Sequence, residues 1–162
     1  EFRRVLFRSK GWHTGAVLPG MLPSEKLDVA IAIDTSGSIT NEMVCDFLGE
    51  VKGMLEMFDS YEVDIWCFDT SVWNHQKFAS DTGEDITTYE MDGGGGTDFM
   101  VNWQFMREQG LEPKQLIMFT DGEPWGEWGE PNYCDTLFVI HSNPKKVSPF
   151  GITTHYEDHQ AK

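Results

Sequence analysis

The sequence is short of positive charge. Its 162 residues contain 12 Lys and Arg against 27 Asp and Glu, which gives a net charge of −15 at pH 7. Proteins that bind nucleic acid place Lys and Arg on the phosphates, and anionic membrane surfaces attract basic segments. The composition therefore argues against nucleic acid and membrane surfaces as partners.

Long apolar runs and cysteines are also scarce. No apolar run approaches the roughly 20 residues that span a membrane. The three cysteines, Cys45, Cys67 and Cys134, lack the spacing of a metal site and are an odd number for a disulfide framework. We therefore expect buried, reduced thiols in a cytoplasmic protein.

The first residues differ from the rest, because residues 1–9 hold three of the four arginines. Their ending, Leu6-Phe7-Arg8-Ser9, resembles a translated sequencing adapter, and a native basic tail is the alternative. We predict a foreign or disordered extension over residues 1–10 and a single domain over residues 11–162. On this interpretation the domain belongs to a longer protein whose amino-terminal part is missing.

The hydrophobic pattern of the remaining chain predicts strands that alternate with helices. Residues 27–34 form an apolar run that is typical of a buried parallel strand. From Thr40, the expected N-cap, apolar residues recur at helical spacing as far as Phe58. We expect further strands at 61–68, 115–120, 136–141 and 151–156, short β segments at 72–78 and 86–90, an extended lead-in at 15–22, and a second helix at 97–109.

These elements predict an α/β fold with a doubly wound, mostly parallel sheet and helices on both faces. In the strand order 3-2-1-4-5 of such folds, the first and fourth main strands are neighbours across the switch point. The carboxyl ends of residues 27–34 and 115–120 should therefore lie side by side. Ligands of open α/β sheets bind at this edge.

Polar residues stand where those strands end. The turn Asp34-Thr35-Ser36-Gly37-Ser38 follows the first strand, and Asp121 follows the fourth. A glycine loop, residues 93–96, leads to Thr97 and Asp98. These oxygen ligands, with no His or Cys nearby, suit a hard cation such as Mg2+ rather than zinc.

The glycine loop has an alternative interpretation as a phosphate cradle. A P-loop requires Gly-Lys-Ser or Gly-Lys-Thr, and no Lys follows these glycines. A Rossmann fingerprint would follow the first strand directly. We expect instead that the glycines let the backbone pass close to the Asp34 turn, so that Thr97 reaches the ion.

In this order, Asp-x-Ser-x-Ser, a distant Thr and a strand-end Asp resemble the metal-ion-dependent adhesion site of von Willebrand factor A (vWA) domains. The resemblance covers residues 17–158. A closer similarity is to the carboxyl-terminal vWA-like domain of a bacterial and phage family named for metal-dependent peptidase activity. The matching segments are Leu18-Pro19, Asp34 to Ser38, Gly94 to Asp98, Thr120 to Gly122, and Pro149-Phe150-Gly151.

The resemblance implies a protein-binding module that depends on a metal ion. It implies direct coordination by Ser36, Ser38 and Thr97, with Asp34 and Asp121 acting largely through water. Mg2+ is the expected ion, with Mn2+ or Ca2+ as alternatives. A partner protein would supply a carboxylate to the ion, and an AAA+ ATPase complex is a candidate partner. No catalytic residues are predicted in this domain.

The competing hypothesis is a Mg2+-dependent hydrolase or phosphoryl-transfer enzyme with the same acidic site. Phosphatases of the haloacid dehalogenase type need Asp-x-Asp after the first strand, and here Ser36 takes the place of the second Asp. Peptidase activity would belong to a separate amino-terminal domain. The pair His155 and His159 has neither His-Glu-x-x-His nor His-x-x-Glu-His spacing, so we do not predict zinc there. A structural domain that binds no ion is the third alternative.

An acidic loop at residues 123–133 contains Trp125 and Trp128. We expect this loop on the rim of the site. Exposed tryptophans flanked by Glu favour a surface for a partner. Packing of the two rings against the domain itself is the alternative.

Overall fold

The computed structural model describes residues 26–37 and 39–156. The predicted extension at 1–10, the predicted lead-in at 15–22, Ser38 and His159 lie outside the described residues. The elements in chain order are β1 (Lys26–Asp34), α1 (Asn41–Leu55), β2 (Ser60–Phe68), β3 (Val72–Ala79), a 3₁₀ helix (Ile86–Thr88), α2 (Met100–Gln109), β4 (Gln115–Thr120), β5 (Asp135–His141) and β6 (Ile152–Tyr156).

The strands form one six-stranded sheet in the order β3-β2-β1-β4-β5-β6. Strand β3 runs antiparallel to β2, and all other neighbours are parallel. A mostly parallel sheet with helices confirms the predicted α/β class. The predicted neighbourhood of β1 and β4 is also confirmed, because Ile33 pairs with Phe119. The ends of these two strands therefore meet at one edge of the sheet.

Both faces of β1 are covered. Val29, Ile31 and Ile33 belong to a hydrophobic cluster that includes the buried side of α1. The alternating Ala30 and Ala32 belong to a second cluster that includes α2. Because a strand presents alternate side chains to opposite faces, a strand covered on both sides needs apolar residues at every position. This explains the continuous apolar run in the sequence.

Helix α1 begins as predicted. The hydroxyl of Thr40 accepts a hydrogen bond from the backbone N–H of Met43 at 3.1 Å, which caps the first turn. The apolar side of α1 packs on the sheet, where the ring of Phe47 stacks on Phe119 with centroids 4.5 Å apart. Burial of each such side chain contributes about 1.5–3 kcal/mol. The cap and this packing together fix where the chain leaves the Asp34 turn.

Two predicted elements were wrong, the first in where it begins and the second in its type. Helix α2 begins at Met100 rather than at residue 97, because the carboxylate of Asp98 accepts the N–H of Met100 at 3.0 Å. The expected β segment at 86–90 is a 3₁₀ helix at Ile86–Thr88. There the carboxylate of Asp85 accepts hydrogen bonds from the N–H and the hydroxyl of Thr87, at 2.9 and 2.7 Å. Such local side-chain bonds tighten the chain into a turn and compete with strand pairing.

No helix in the part of the chain that the structure describes is long and apolar enough to cross a membrane.

Candidate functional site

The candidate site lies where β1 and β4 end. Asp34 is the last residue of β1, Thr120 is the last residue of β4, and Asp121 follows it. The hydroxyl of Thr120 donates a hydrogen bond of 2.6 Å to Oδ2 of Asp34. The parallel arrangement of β1 and β4 thus brings Asp34 and Thr120 into direct polar contact at the edge of the sheet.

The other oxygen of Asp34 holds the turn that follows β1. Oδ1 of Asp34 accepts the backbone N–H of Ser36 at 3.0 Å and its hydroxyl at 2.6 Å. An Asp that binds the N–H two residues further along is a common turn former. Asp34 is fully buried, and both of its carboxylate oxygens have partners. Its carboxylate therefore orients the hydroxyl of Ser36 in the turn after β1 and the hydroxyl of Thr120 at the end of β4.

Thr97 joins this network from the glycine loop. Its hydroxyl donates to Oγ of Ser36 at 2.5 Å, across 61 residues of sequence. The glycine loop also passes close to the Asp34 turn, because a Cβ added at Gly94 would lie 3.5 Å from the carbonyl oxygen of Thr35. The expected approach of the glycine loop to the turn is confirmed.

Asp121 approaches the turn that follows β1 at Gly37. Gly37 has a φ of +71°, and a Cβ at this position would lie 2.7 Å from Oδ2 of Asp121. Any other residue at position 37 would press against that carboxylate while it strained the backbone. The glycine therefore lets the carboxylate of Asp121 sit directly against the turn that carries Ser36.

Burial and repulsion act on both carboxylates. Burial raises the pKa of Asp34 to about 6, and the negative charge of Asp121 adds to this rise, while hydrogen bonds from Ser36 and Thr120 oppose it. The pKa of Asp121 is also raised, first by burial and then by the charge of Glu123. A cation between the two carboxylates would lower the pKa of both, because an opposite charge favours the ionised form.

Of the five predicted ligands, the structure therefore brings Asp34, Ser36 and Thr97 into one hydrogen-bonded chain and places Asp121 against the same turn. Ser38 lies outside the described residues. Ser36 and Thr97 are 7% and 4% exposed, so their oxygens lie in a region of low dielectric constant where charge interactions are strong.

The donor set suits a hard cation. The described residues contain no cluster of three or more His, Cys, Asp and Glu side chains that could hold a metal. At this site the donors are instead two carboxylates and the hydroxyls of Ser36 and Thr97, which stand close enough to touch one ion. Mg2+ binds oxygen ligands and often uses only one or two carboxylates. The residues present therefore fit Mg2+ and do not fit zinc.

The contact of Thr120 with Asp34 was not predicted from the sequence. This residue is fully buried, and its hydroxyl accepts the N–H of Gly122 at 3.0 Å while it donates to Asp34. It belongs to the Thr-Asp-Gly segment that pointed to Asp121. A polar residue at the end of a strand adjacent to Asp34 was the signal that could have identified it.

Asp69 follows β2 directly and caps its own loop. Its carboxylate accepts the N–H of Ser71 at 3.0 Å and also contacts the N–H of Thr70. Its backbone carbonyl accepts the N–H of Asp98 at 2.9 Å, which ties this loop to the glycine loop. Asp69 thus supports the loop that carries Thr97.

The two tryptophans of the acidic loop behave differently. The ring of Trp128 packs edge-on against Phe99 and Phe138, with centroids 5.3 and 5.2 Å away. Trp125 is 73% exposed. The self-packing alternative is confirmed for Trp128, and Trp125 is left at the surface beside the glycine loop.

The fold and the site define a class of protein: an α/β domain with hydroxyls and carboxylates gathered at the carboxyl edge of a mostly parallel sheet. Residues 29–156 match the family model described as VWA-like domain (DUF2201), and the chain belongs to that family. No curated protein matches the chain.

Proposed function

We propose that this domain is a metal-ion-dependent protein-binding module with a site of the adhesion type. The chain of hydrogen bonds from Thr97 through Ser36 to Asp34, and from Thr120 to Asp34, supports the proposal best. It gathers oxygen donors from three separate stretches of sequence at one point. The site also holds the buried carboxylate of Asp34 near enough to the half-buried carboxylate of Asp121 for the two charges to repel, and a bound cation would offset this repulsion.

In the proposed site, the hydroxyls of Ser36 and Thr97, together with the predicted ligand Ser38, hold Mg2+. Asp34 orients the hydroxyl of Ser36, and the carboxylate of Asp121 lies against the same turn at Gly37. When bound, the ion would supply an electrophilic position that accepts a carboxylate oxygen of a partner protein. Mn2+ and Ca2+ are alternative ions for the same donors.

The charge of the domain makes the ion necessary for this recognition. A chain of net charge −15 repels acidic ligands at long range. An acidic side chain can approach the two carboxylates only if a cation lies between them. The acidic composition and the proposed recognition of a carboxylate are therefore compatible only in the metal-bound domain.

Catalysis by the same residues is the alternative, and the geometry argues against it. A phosphatase nucleophile needs an accessible carboxylate with a free oxygen. Asp34 is fully buried, and hydrogen bonds from Ser36 and Thr120 occupy both of its oxygens. We assign the site to binding rather than to phosphoryl transfer.

The wider setting of the domain is also a proposal. The sheet would be doubly wound, which agrees with one hydrophobic cluster around α1 and another around α2. The domain would form the carboxyl-terminal part of a cytoplasmic protein of the metal-dependent peptidase family, with any peptidase activity in a separate domain. An AAA+ ATPase complex is the proposed kind of partner.

A peptide library with one fixed Asp between randomised positions tests the proposed function. We expect the immobilised domain to retain this library in Mg2+ and to release it in EDTA. A matched library with Asn in place of Asp should not be retained. Thr97→Ala should abolish retention, whereas Thr82→Ala, which removes an exposed hydroxyl in the turn after β3, should leave it unchanged. Equal retention of the Asp and Asn libraries would refute recognition of a carboxylate.

A further inference from the structure

One large aromatic side chain stands in solvent beside the site. Trp125 is 73% exposed, whereas Trp66 and Trp103 are fully buried. Among the described residues, the other large apolar side chains that are exposed are Met57 and Val147. An exposed tryptophan costs free energy in an isolated domain, and tryptophan is enriched among the residues that dominate protein interfaces.

The position of Trp125 is fixed by the loop that carries Thr97. The backbone N–H of Trp125 donates to the carbonyl oxygen of Thr97 at 2.9 Å. The indole ring lies against Gly96, where an added Cβ would lie only 1.9 Å from Cζ2 of the ring. The glycine thus makes room for the ring, which lies beside the loop that carries Thr97.

The two loops that meet at this ring are acidic in sequence. The loop of Trp125 also carries Glu123 and Glu127, which are exposed, and Asp92 and Asp98 flank the glycine loop that the ring contacts. Neither residues 91–98 nor residues 121–130 include a Lys or an Arg. Two described cations approach the acidic loop from outside these ranges. The Nζ of Lys146 lies 3.5 Å from the carboxylate of Glu123, and the guanidinium of Arg107 pairs with Glu130.

We propose that Trp125 binds a basic side chain of the partner protein, an arginine above all. This side chain would neighbour the carboxylate that the partner supplies to the metal ion. The inference rests on the proposed function and names the chemistry of its partner. A cation over the face of an indole is attracted to the ring, and a guanidinium, which is weakly hydrated, also stacks on it. The acidic residues of the two neighbouring loops add to this attraction.

A basic residue beside the acidic residue would also help the partner segment to approach the negatively charged domain. A segment with only acidic residues would be repelled by the negative loops before its carboxylate reached the ion. An adjacent arginine cancels that repulsion and is held at the surface by Trp125. The domain should therefore select segments in which an acidic residue has a basic neighbour, and it should reject segments with runs of acidic residues.

The peptide library with the fixed Asp also tests this inference, because the retained peptides can be sequenced. We expect Arg, and to a smaller extent Lys, to be enriched near the fixed Asp and Glu to be depleted. Trp125→Ala should remove the enrichment of Arg and weaken binding of a selected Arg-containing peptide by about two- to fivefold, which is the range for a cation on an exposed ring. Trp125→Phe should retain part of the preference.

Met57→Ala serves as the control, because it removes an exposed apolar side chain just beyond α1. It should leave both retention and the selected sequences unchanged. An enrichment of Arg that persists in Trp125→Ala, or retained peptides without basic neighbours, would overturn the inference and leave the metal-dependent function intact. Loss of all Mg2+-dependent retention in the unmodified domain would overturn both.

Discussion

The hydroxyl of Thr120 donates a 2.6 Å hydrogen bond to Oδ2 of Asp34, although 86 positions separate the two residues in the sequence. This contact ties the end of β4 to the end of β1. It also holds one oxygen of Asp34 in place while the other orients Ser36. The geometry of the proposed metal site therefore depends on a residue that would not itself bind the ion.

Replacing Thr120 with Val tests this dependence. The substitution keeps the shape of the side chain but leaves Oδ2 of Asp34 and the N–H of Gly122 without their partner. We expect the free energy of unfolding to fall by about 1–3 kcal/mol, as is usual for buried groups left unpaired. Denaturant titration measures the change, and Mg2+ affinity should fall in parallel.

Thr154→Val is the matched control for Thr120→Val. Thr154 is 3% exposed and lies in β6, and its buried hydroxyl has no hydrogen-bond partner among the described residues. Since a buried hydroxyl without a partner costs free energy, this substitution should be neutral or stabilising. A similar loss of stability in both variants would show that the loss in Thr120→Val does not come from its hydrogen bonds to Asp34 and Gly122.

The raised pKa of Asp34 predicts a pH dependence in the metal-free domain. Its pKa is about 6 in the folded state, against 3.8 for an ordinary Asp, so the folded state binds the proton more tightly. The stability that this group contributes is fully present below about pH 4 and is lost as pH rises through about 6. The loss should be on the order of 3 kcal/mol.

His141 acts in the opposite direction over the same range. Burial lowers its pKa from 6.5 to about 4, so its contribution is present above pH 6.5 and is lost as pH falls towards 4. The pH dependence of the whole domain is therefore a poor test of Asp34. The difference in stability between the unmodified domain and Asp34→Asn, measured in EDTA, isolates the carboxylate.

We expect Asp34→Asn to gain stability relative to the unmodified domain as pH rises from 4.5 to 7. The gain reflects removal of a charge that is costly in its buried place. Urea unfolding at the two pH values measures it. A difference between the two proteins that does not change with pH would show that Asp34 does not titrate in this range.

Gly37→Ala should damage the site through a steric clash. The added methyl group would lie 2.7 Å from Oδ2 of Asp121. Gly83 has the same φ of +71° but has no atom within 4 Å of an added Cβ, so Gly83→Ala reports the backbone strain alone. We expect a larger loss of stability for Gly37→Ala, and a loss of Mg2+ affinity that Gly83→Ala does not share. Equal effects in calorimetric titrations would mean that contact with Asp121 is unimportant.

The isolated domain should not turn over substrates. We expect no hydrolysis of casein or of p-nitrophenyl phosphate with Mg2+ or Zn2+, because Asp34 is fully buried and both of its carboxylate oxygens already accept hydrogen bonds. Activity that depends on metal and disappears in Asp34→Ala would contradict the assignment to binding.

The sequence was informative wherever one local pattern decided the structure. The apolar run of β1, the N-cap Thr40 and the stop at Gly110, which has a φ of +69°, were all predictable. The adjacency of Asp34 and Asp121 was also predictable, because the order of strands in such folds follows a general rule. These features account for the class of fold and for the position of the candidate site.

Other features were not accessible because they depend on contacts between distant residues. The carbonyl of Thr97, just before α2, accepts the N–H of Trp125 from the acidic loop. Whether each tryptophan ring is exposed or packed depends on its neighbours in space, which are Gly96 for Trp125 and Phe99 for Trp128. No local pattern encodes such distances, so the sequence left the tryptophans with two interpretations.

The central claim is that Asp34, Ser36, Thr97 and Asp121 surround a metal ion. The most direct measurement is the free energy of unfolding of the domain in EDTA and in Mg2+. At a concentration 100 times the dissociation constant, binding to the folded state alone should add about 2.7 kcal/mol, and Asp121→Ala should remove this increment. Equal stability of the unmodified domain with and without Mg2+, Mn2+ or Ca2+ would contradict the claim.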